Sequence, residues 1–219
     1  MAGNVQPRGS EEARTDILQT AAECFTERGY AETSIDDVAR RLGCTKGRIY
    51  HFFASKVDLF CSVGQMGMDQ NEGAIRPHLG MDAPAAVRLY AMAKAHTLSM
   101  IENRPYQRSI WEGVEIHLKG STTPEQRVRL AELQASRDRY ADAFRGVMEA
   151  AKADGVLCYR DVGIAQQLMF VSLNSPIFWY SARAEQTEED RRDLARQCAD
   201  FAMRGLGADP KMLEAEQPG

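Results

Sequence analysis

The sequence predicts an all-α chain in which a small group of short N-terminal helices precedes a larger helical body. Three observations carry this. Apolar residues recur every three or four positions along most of the chain, the spacing of one helix face. No stretch alternates apolar and polar residues as a half-buried strand does, and no Asn-Gly or Asp-Gly turn joins such runs. Glycines and capping residues fall where successive helices should stop and start.

Residues 1–10 are polar and lack the apolar segment of a secretion signal, so they read as a disordered arm. Over 11–28, Ile17, Leu18, Ala21, Ala22 and Phe25 line one helix face, and Gly29 is placed to end the helix in a left-handed conformation. Ser34 is the expected N-cap of a second helix, with Asp37 as its capping-box partner and Ile35, Val38, Ala39 and Leu42 as its apolar positions. Gly43 closes that helix. Cys44 and Thr45 make a tight connection, and Thr45 is expected to cap a third helix over 46–52. Ser55, followed by Asp58, starts a connecting helix to about residue 75, which Gly64, Gly67 and Gly73 weaken. Pro77 and Gly80 mark a loop. Further helices are expected over 82–103, 105–118, 123–154 behind a Thr123 cap, 161–181, and 187–205 behind a Thr187 cap. The 161–181 helix is apolar nearly all round, which predicts burial. The resulting division is an arm (1–10), a head (11–59), a body (60–207) and a tail (208–219).

Composition excludes several classes. Of 219 residues, 44% are hydrophobic and 26% charged, an ordinary globular balance. No apolar run approaches the ~20 residues of a membrane span. Five scattered cysteines without a CxxC pair predict reduced thiols and a cytoplasmic protein. Phosphate-loop, dinucleotide, nucleophile-elbow and zinc-protease motifs are missing, and His51, His78, His96 and His117 form no metal-like cluster. Glu112 and Glu115 near His117 read as a solvated helix face. The expectation is therefore no enzyme, no cofactor and no metal.

Net charge is −4, yet Arg40, Arg41, Lys46, Arg48 and Lys56 form a block of five cations uninterrupted by any acid. Such a block suits phosphates. It coincides with a helix, a short turn containing Gly43 and a second helix, the pattern of a helix-turn-helix over 34–52. In that motif the second helix enters the major groove and its first residues face base edges. Here those are Thr45, Lys46, Gly47 and Arg48. Tyr50 and Lys56 are placed for phosphates, as are Thr33 and Ser34.

The stretch Phe25-Thr26-Glu27-Arg28-Gly29-Tyr30, then Thr33 to Ala39, then Gly43-Cys44-Thr45-Lys46-Gly47-Arg48-Ile49-Tyr50-His51-Phe52-Phe53-Ala54-Ser55-Lys56, closely resembles the N-terminal head of the tetracycline-repressor-like (TetR) family. The resemblance implies phosphate contacts at Thr33 and Ser34, base reading at Thr45, Lys46, Gly47 and Arg48, and groove or phosphate contacts at Tyr50, His51 and Lys56. Ile35, Val38, Leu42, Ile49 and Phe53 then form the head core. Phe52 departs from the pattern, since it has no hydrogen to donate where Tyr or His often does.

The body resembles the family in helix layout, which implies a ligand cavity and dimerisation through the last two helices, with Leu194, Cys198, Phe201 and Ala202 as a contact stripe. Candidate cavity residues are Met92, His96, Met100, Trp111, Phe144, Met148, Phe170 and Asn174, with His117, Met169, Leu173 and Phe178 as further candidates. The tail from Phe178-Trp179-Tyr180 onward is similar in character to members that respond to acyl-CoA thioesters. The expected protein is a homodimeric repressor, released from a palindromic double-stranded operator by a small-molecule effector. Cys44, beside the reading helix, and Cys61 are the candidates for redox control.

Overall fold

A computed structural model describes residues 8–119, 123–183 and 185–215, with the side chains of residues 8, 112–119 and 212 outside that description. Among the described residues there are eleven helices and no strand. They are α1 (Arg8–Glu32), α2 (Ile35–Leu42), α3 (Lys46–Phe52), α4 (Lys56–Leu79), α5 (Ala85–Glu102), α6 (Arg104–Lys119), α7 (Pro124–Ala153), α8 (Val162–Asn174), α9 (Pro176–Trp179), α10 (Glu188–Gly205) and α11 (Pro210–Ala215).

The chain forms two units, Met1–Met68 with Pro105–Ser136, and Asp69–Arg104 with Arg137–Gly219. This differs from a head that ends at residue 59. The reason is packing: Leu59, Phe60, Val63 and Tyr106 join Ile17, Leu18, Phe25, Val38 and Ile49 in one core. The first unit therefore takes in the start of α4, α6 and the start of α7. The glycines that weaken α4 serve this packing. A Cβ on Gly64 would lie 2.8 Å from Leu133 of α7, and one on Gly67 would lie 2.8 Å from Ile110 of α6.

Local signals explain most helix ends. Ser34 and Asp37 form a complete capping box, and Gly43 adopts the left-handed conformation (φ 71°, ψ 30°) at the C-cap of α2. Thr187 and Asp190 form a second box on α10. Thr123 accepts from the backbone of Gln126 at 3.3 Å, while the Gln126 side chain accepts from the Thr123 backbone at 3.1 Å. Thr45 departs from expectation: it stands at the N-cap of α3 without a side-chain capping bond.

Other boundaries moved. The arm of residues 1–10 lies outside the described residues up to 7, and Gly9 and Ser10 are already helical. Gly29 has φ 78° but ψ 162°, so it kinks α1 through an extended left-handed-φ conformation instead of ending it. α4 runs through Pro77 to Leu79, whose carbonyl accepts from Arg88 at 2.9 Å. The single helix expected over 161–181 breaks at Ser175, where Pro176, which has no N–H to offer, opens α9. Nor is α8 buried all round. Ala165, Met169 and Leu173 face inward, but Ile164, Leu168 and Val171 are 64%, 66% and 63% exposed. The expected tail contains α11, with Leu213 buried. Glu214 of α11 accepts from the Tyr90 hydroxyl at 2.8 Å, and Asp200 approaches the same hydroxyl at 2.6 Å.

Candidate nucleic-acid interface

α2 and α3 are joined by Gly43, whose N–H reaches Arg40 O at 3.2 Å, and Cys44, whose N–H reaches Ala39 O at 2.9 Å. These bonds satisfy the last carbonyls of α2 and fix where α3 begins. Ile49 and Phe53 turn into the core and Phe52 packs half-buried against it. Lys46, Gly47, Arg48, Tyr50 and His51 are left exposed. A groove of about 390 Å³ runs along this surface. It is lined by Thr33, Ser34, Asp36, Lys46, Tyr50 and Lys56, among others, and so gathers five of the nine residues that the sequence points to. Thr45, Gly47, Arg48 and His51 do not line it. His51 instead stacks edge-on against Phe52, ring centroids 5.1 Å apart.

Two of the expected hydroxyl contacts are committed elsewhere. Thr33 is buried, and its hydroxyl lies 2.8 Å from Gly29 O and 3.2 Å from Cys24 O, so it secures the end of α1 and has no hydrogen left for a phosphate. The Ser34 hydroxyl donates to Asp37 at 2.5 Å while accepting from the Asp37 backbone at 3.1 Å. The Ser34 hydroxyl, together with the Ser34 backbone N–H that donates to the same carboxylate at 3.0 Å, holds the Asp37 carboxyl down at about 2.

The five-cation block is also less positive than its sequence. Arg40 pairs with Asp37 at 3.1 Å, and Arg41 pairs with Glu27 at 2.6 Å and Glu23 at 3.0 Å. Lys46 lies 3.7 Å from Asp36. Lys56 donates to Ala31 O at 3.1 Å and sits 4.3 Å above the Tyr30 ring. Partial burial lowers its pKa. Arg48 alone of the five has no side-chain partner among the described residues. The acids that answer the cations come from α1 and α2, outside the 40–56 window, so counting charge within that window overstates the field. Asp36 is the residue that sequence reasoning missed, because a pair across a turn has no fixed spacing.

The second unit assembles most of the expected cavity residues. His96 of α5 lies at its centre, 2% exposed. Asn174 Oδ1 of α8 accepts from His96 Nε2 at 2.8 Å, which leaves Nδ1 to accept from the Tyr140 hydroxyl of α7 at 2.8 Å. Phe144 and Phe170 flank the imidazole, with centroids 5.8 and 5.5 Å away. Burial drives the His96 pKa down to about 4, against a raising contribution from Asn174, so the ring is neutral at pH 7. Burial raises the Tyr140 pKa, which keeps its hydroxyl protonated. Met92, Met100 and Met148 are buried in the same unit. Tyr140 was not anticipated, although it precedes Phe144 and Met148 at four-residue steps on α7. Trp111 is a correction: it belongs to the first unit and is 44% exposed. Phe178, 48% exposed, is another, and the His117 side chain lies outside the described residues. Cys61 is buried, and burial pushes its thiol up to about 11, which disfavours the thiolate that oxidation needs. Cys44 packs half-buried on the head core.

The sequence matches the model of bacterial regulatory proteins, tetR family, over residues 17–63, and that of the tetracyclin repressor-like C-terminal domain over residues 82–206. It is 26% identical to the HTH-type transcriptional activator FasR of Mycolicibacterium smegmatis over 208 residues, 95% of this chain and 88% of that one. It is 25% identical to the HTH-type transcriptional repressor KstR2 of Rhodococcus jostii over 203 residues, 91% of this chain and 94% of that one. The TetR-family regulator PfmR of Thermus thermophilus superposes with a TM-score of 0.71 at 29% identity, covering 87% of this chain and 98% of that one. AibR, solved with isovaleryl coenzyme A and operator DNA, shares the fold with a TM-score of 0.65 at 23% identity, covering 86% and 97%. A helix-turn-helix on a helical body with these relatives defines a DNA-binding transcriptional regulator. The chain belongs to the TetR family. Among the described residues, no helix is long and apolar enough to cross a membrane.

Proposed function

We propose that the protein is a homodimeric repressor whose paired α3 helices read a near-palindromic operator and whose second unit holds the releasing effector. The observation that carries this reading is the groove that brings Ser34, Lys46, Tyr50 and Lys56 together beside the exposed start of α3. Tyr50 and Lys56 offer donors to phosphates, with the α2 N-terminus at Ser34 behind them. Thr45, Lys46, Gly47 and Arg48 meet base edges, Arg48 (without a side-chain partner among the described residues) able to fork onto guanine O6 and N7, and His51 contacts the DNA groove or backbone. Thr33 shapes this surface through its backbone.

The exposed row Ile164, Leu168 and Val171 on α8, with Phe201 (72% exposed) on α10, supports a four-helix contact with a second copy. Occupancy of a promoter by the dimer in the cytoplasm is read as repression, the role that the name of KstR2 gives that relative. The Phe144 and Phe170 rings beside His96, with Met92, Met100 and Met148 buried in the same unit, support an effector with a hydrocarbon portion. AibR's ligand makes acyl thioesters the class to test first. Heads must present their α3 helices about 34–36 Å apart to reach successive grooves. An effector that alters that separation, with a coupling of about 1–3 kcal/mol, weakens operator binding roughly 5–150-fold.

Sedimentation and footprinting test the core of this. A dimer protecting two half-sites one helical turn apart is expected, and Arg48→Ala should lose about 5–150-fold in operator affinity with an unchanged melting temperature. A monomer that protects one half-site would overturn the reading. Thermal shifts across an acyl-CoA panel address the effector, and flat melting curves would remove the thioester class.

A further inference from the structure

A surface built only to hold phosphates would exclude carboxylates, yet the groove contains Glu32 and, facing Lys46 of α3, Asp36. Its side chain is 61% exposed and its Oδ2 lies 3.7 Å from the Lys46 ammonium, across the turn between α2 and α3. The neighbouring acid, Asp37, has a structural occupation in the Ser34 capping box and in pairs with Arg28 and Arg40. Asp36 has no capping bond. Its position in the first turn of α2 favours that helix slightly, but this does not require a partner on α3.

Two consequences follow from the pair. The Asp36 carboxylate attracts the Lys46 ammonium 3.7 Å away and so biases where that ammonium sits. The negative charge of Asp36, like that of Glu32, also stands among the groups that would meet the DNA backbone and opposes sequence-independent binding, which is electrostatic. We propose that Asp36 is a specificity-determining residue, which holds Lys46 at the base edges and lowers affinity for DNA of arbitrary sequence. The inference rests on the reading that α3 contacts DNA.

The test uses the full chain and its Asp36→Asn, Asp36→Glu and Lys46→Ala variants. Each is equilibrated with a random-sequence duplex pool, whose bound fraction is sequenced, and with one fixed non-operator duplex between 50 and 200 mM salt. Freed from its carboxylate, Lys46 in Asp36→Asn should take up one more phosphate. The slope of log K against log salt then steepens by about 0.9, equivalent to roughly a three- to fourfold change in relative affinity across that salt range. The selected motif should become degenerate at the positions that Lys46 reads. Lys46→Ala should relax the same positions without steepening the salt dependence, and Asp36→Glu should keep both wild-type behaviours. A steeper slope in Asp36→Asn alone, with a loss of selectivity shared by Lys46→Ala, is not produced by a loosened fold. An Asp36→Asn variant with the wild-type motif and slope overturns this inference alone. A wild-type protein that enriches no motif overturns the reading of α3 as well.

Discussion

In the first unit, Ser34 and Asp37 satisfy one another three residues apart, and the neighbouring side chains of α3 stay in water. In the second, His96 is out of water and depends on partners 44 and 78 residues away. The contrast separates two ways of keeping polar groups. An exposed cation keeps its hydration until a ligand arrives, so the first unit can hold Arg48 ready at little cost to stability. A buried imidazole must have both nitrogens satisfied by the fold itself, so the second unit couples α5, α7 and α8 through one ring.

The comparison is broken most forcefully at Phe144, fully buried against His96, Tyr140 and Phe170. Phe144→Ala should lower unfolding free energy by about 3–5 kcal/mol, read from urea midpoints. A loss below about 1 kcal/mol would mean that the cluster tolerates a cavity and is not a packed core. The next effect is pH dependence. Native His96 protonates near pH 4, whereas an unfolded histidine does so near 6.5. Between those values the unfolded chain binds more protons, so stability is full above 6.5 and falls as pH drops toward 4, by about 2–4 kcal/mol in all. His96→Asn should abolish that component of the slope, and parallel profiles for the two proteins would refute it. Asp37, held down at about 2, stays ionised through the same window, so the α2 cap persists while the His96 cluster weakens. The smallest effect belongs to that cap. Ser34→Ala should cost about 1 kcal/mol, visible as a modest fall in melting temperature. No change would show that the box is redundant with the packing of Ile35 and Val38.

What the sequence revealed follows the same division. The ends of α2, the start of α3 and the caps at Thr123 and Thr187 were legible because each depends on residues within four positions. The head's core residues were legible for the same reason. The Asp36–Lys46 pair, the acids opposite Arg40 and Arg41, and Tyr140 beside His96 were not, because they join different helices and leave no periodic trace. The exposed face of α8 was misread as buried. Apolar side chains all round a helix show only that each side avoids water, and one of those sides is uncovered in the single chain. Trp111 and Phe178 were assigned to the cavity on residue type alone, and type does not fix a direction.

Gly64 and Gly67 carry a consequence for inherited variation. In an isolated helix, exchanging glycine for alanine is favourable by about 1 kcal/mol. In α4 the added methyl would meet Leu133 or Ile110 at 2.8 Å, with the Tyr106 backbone also close to Gly67. At Gly67, beside the Tyr106 backbone, an ordinarily beneficial exchange becomes a wedge between helices, whereas at Gly64 the end of the Leu133 side chain has to shift. A genetic screen for alleles that lose regulation only at raised temperature should find them here, at positions a conservation-blind substitution matrix would score as mild.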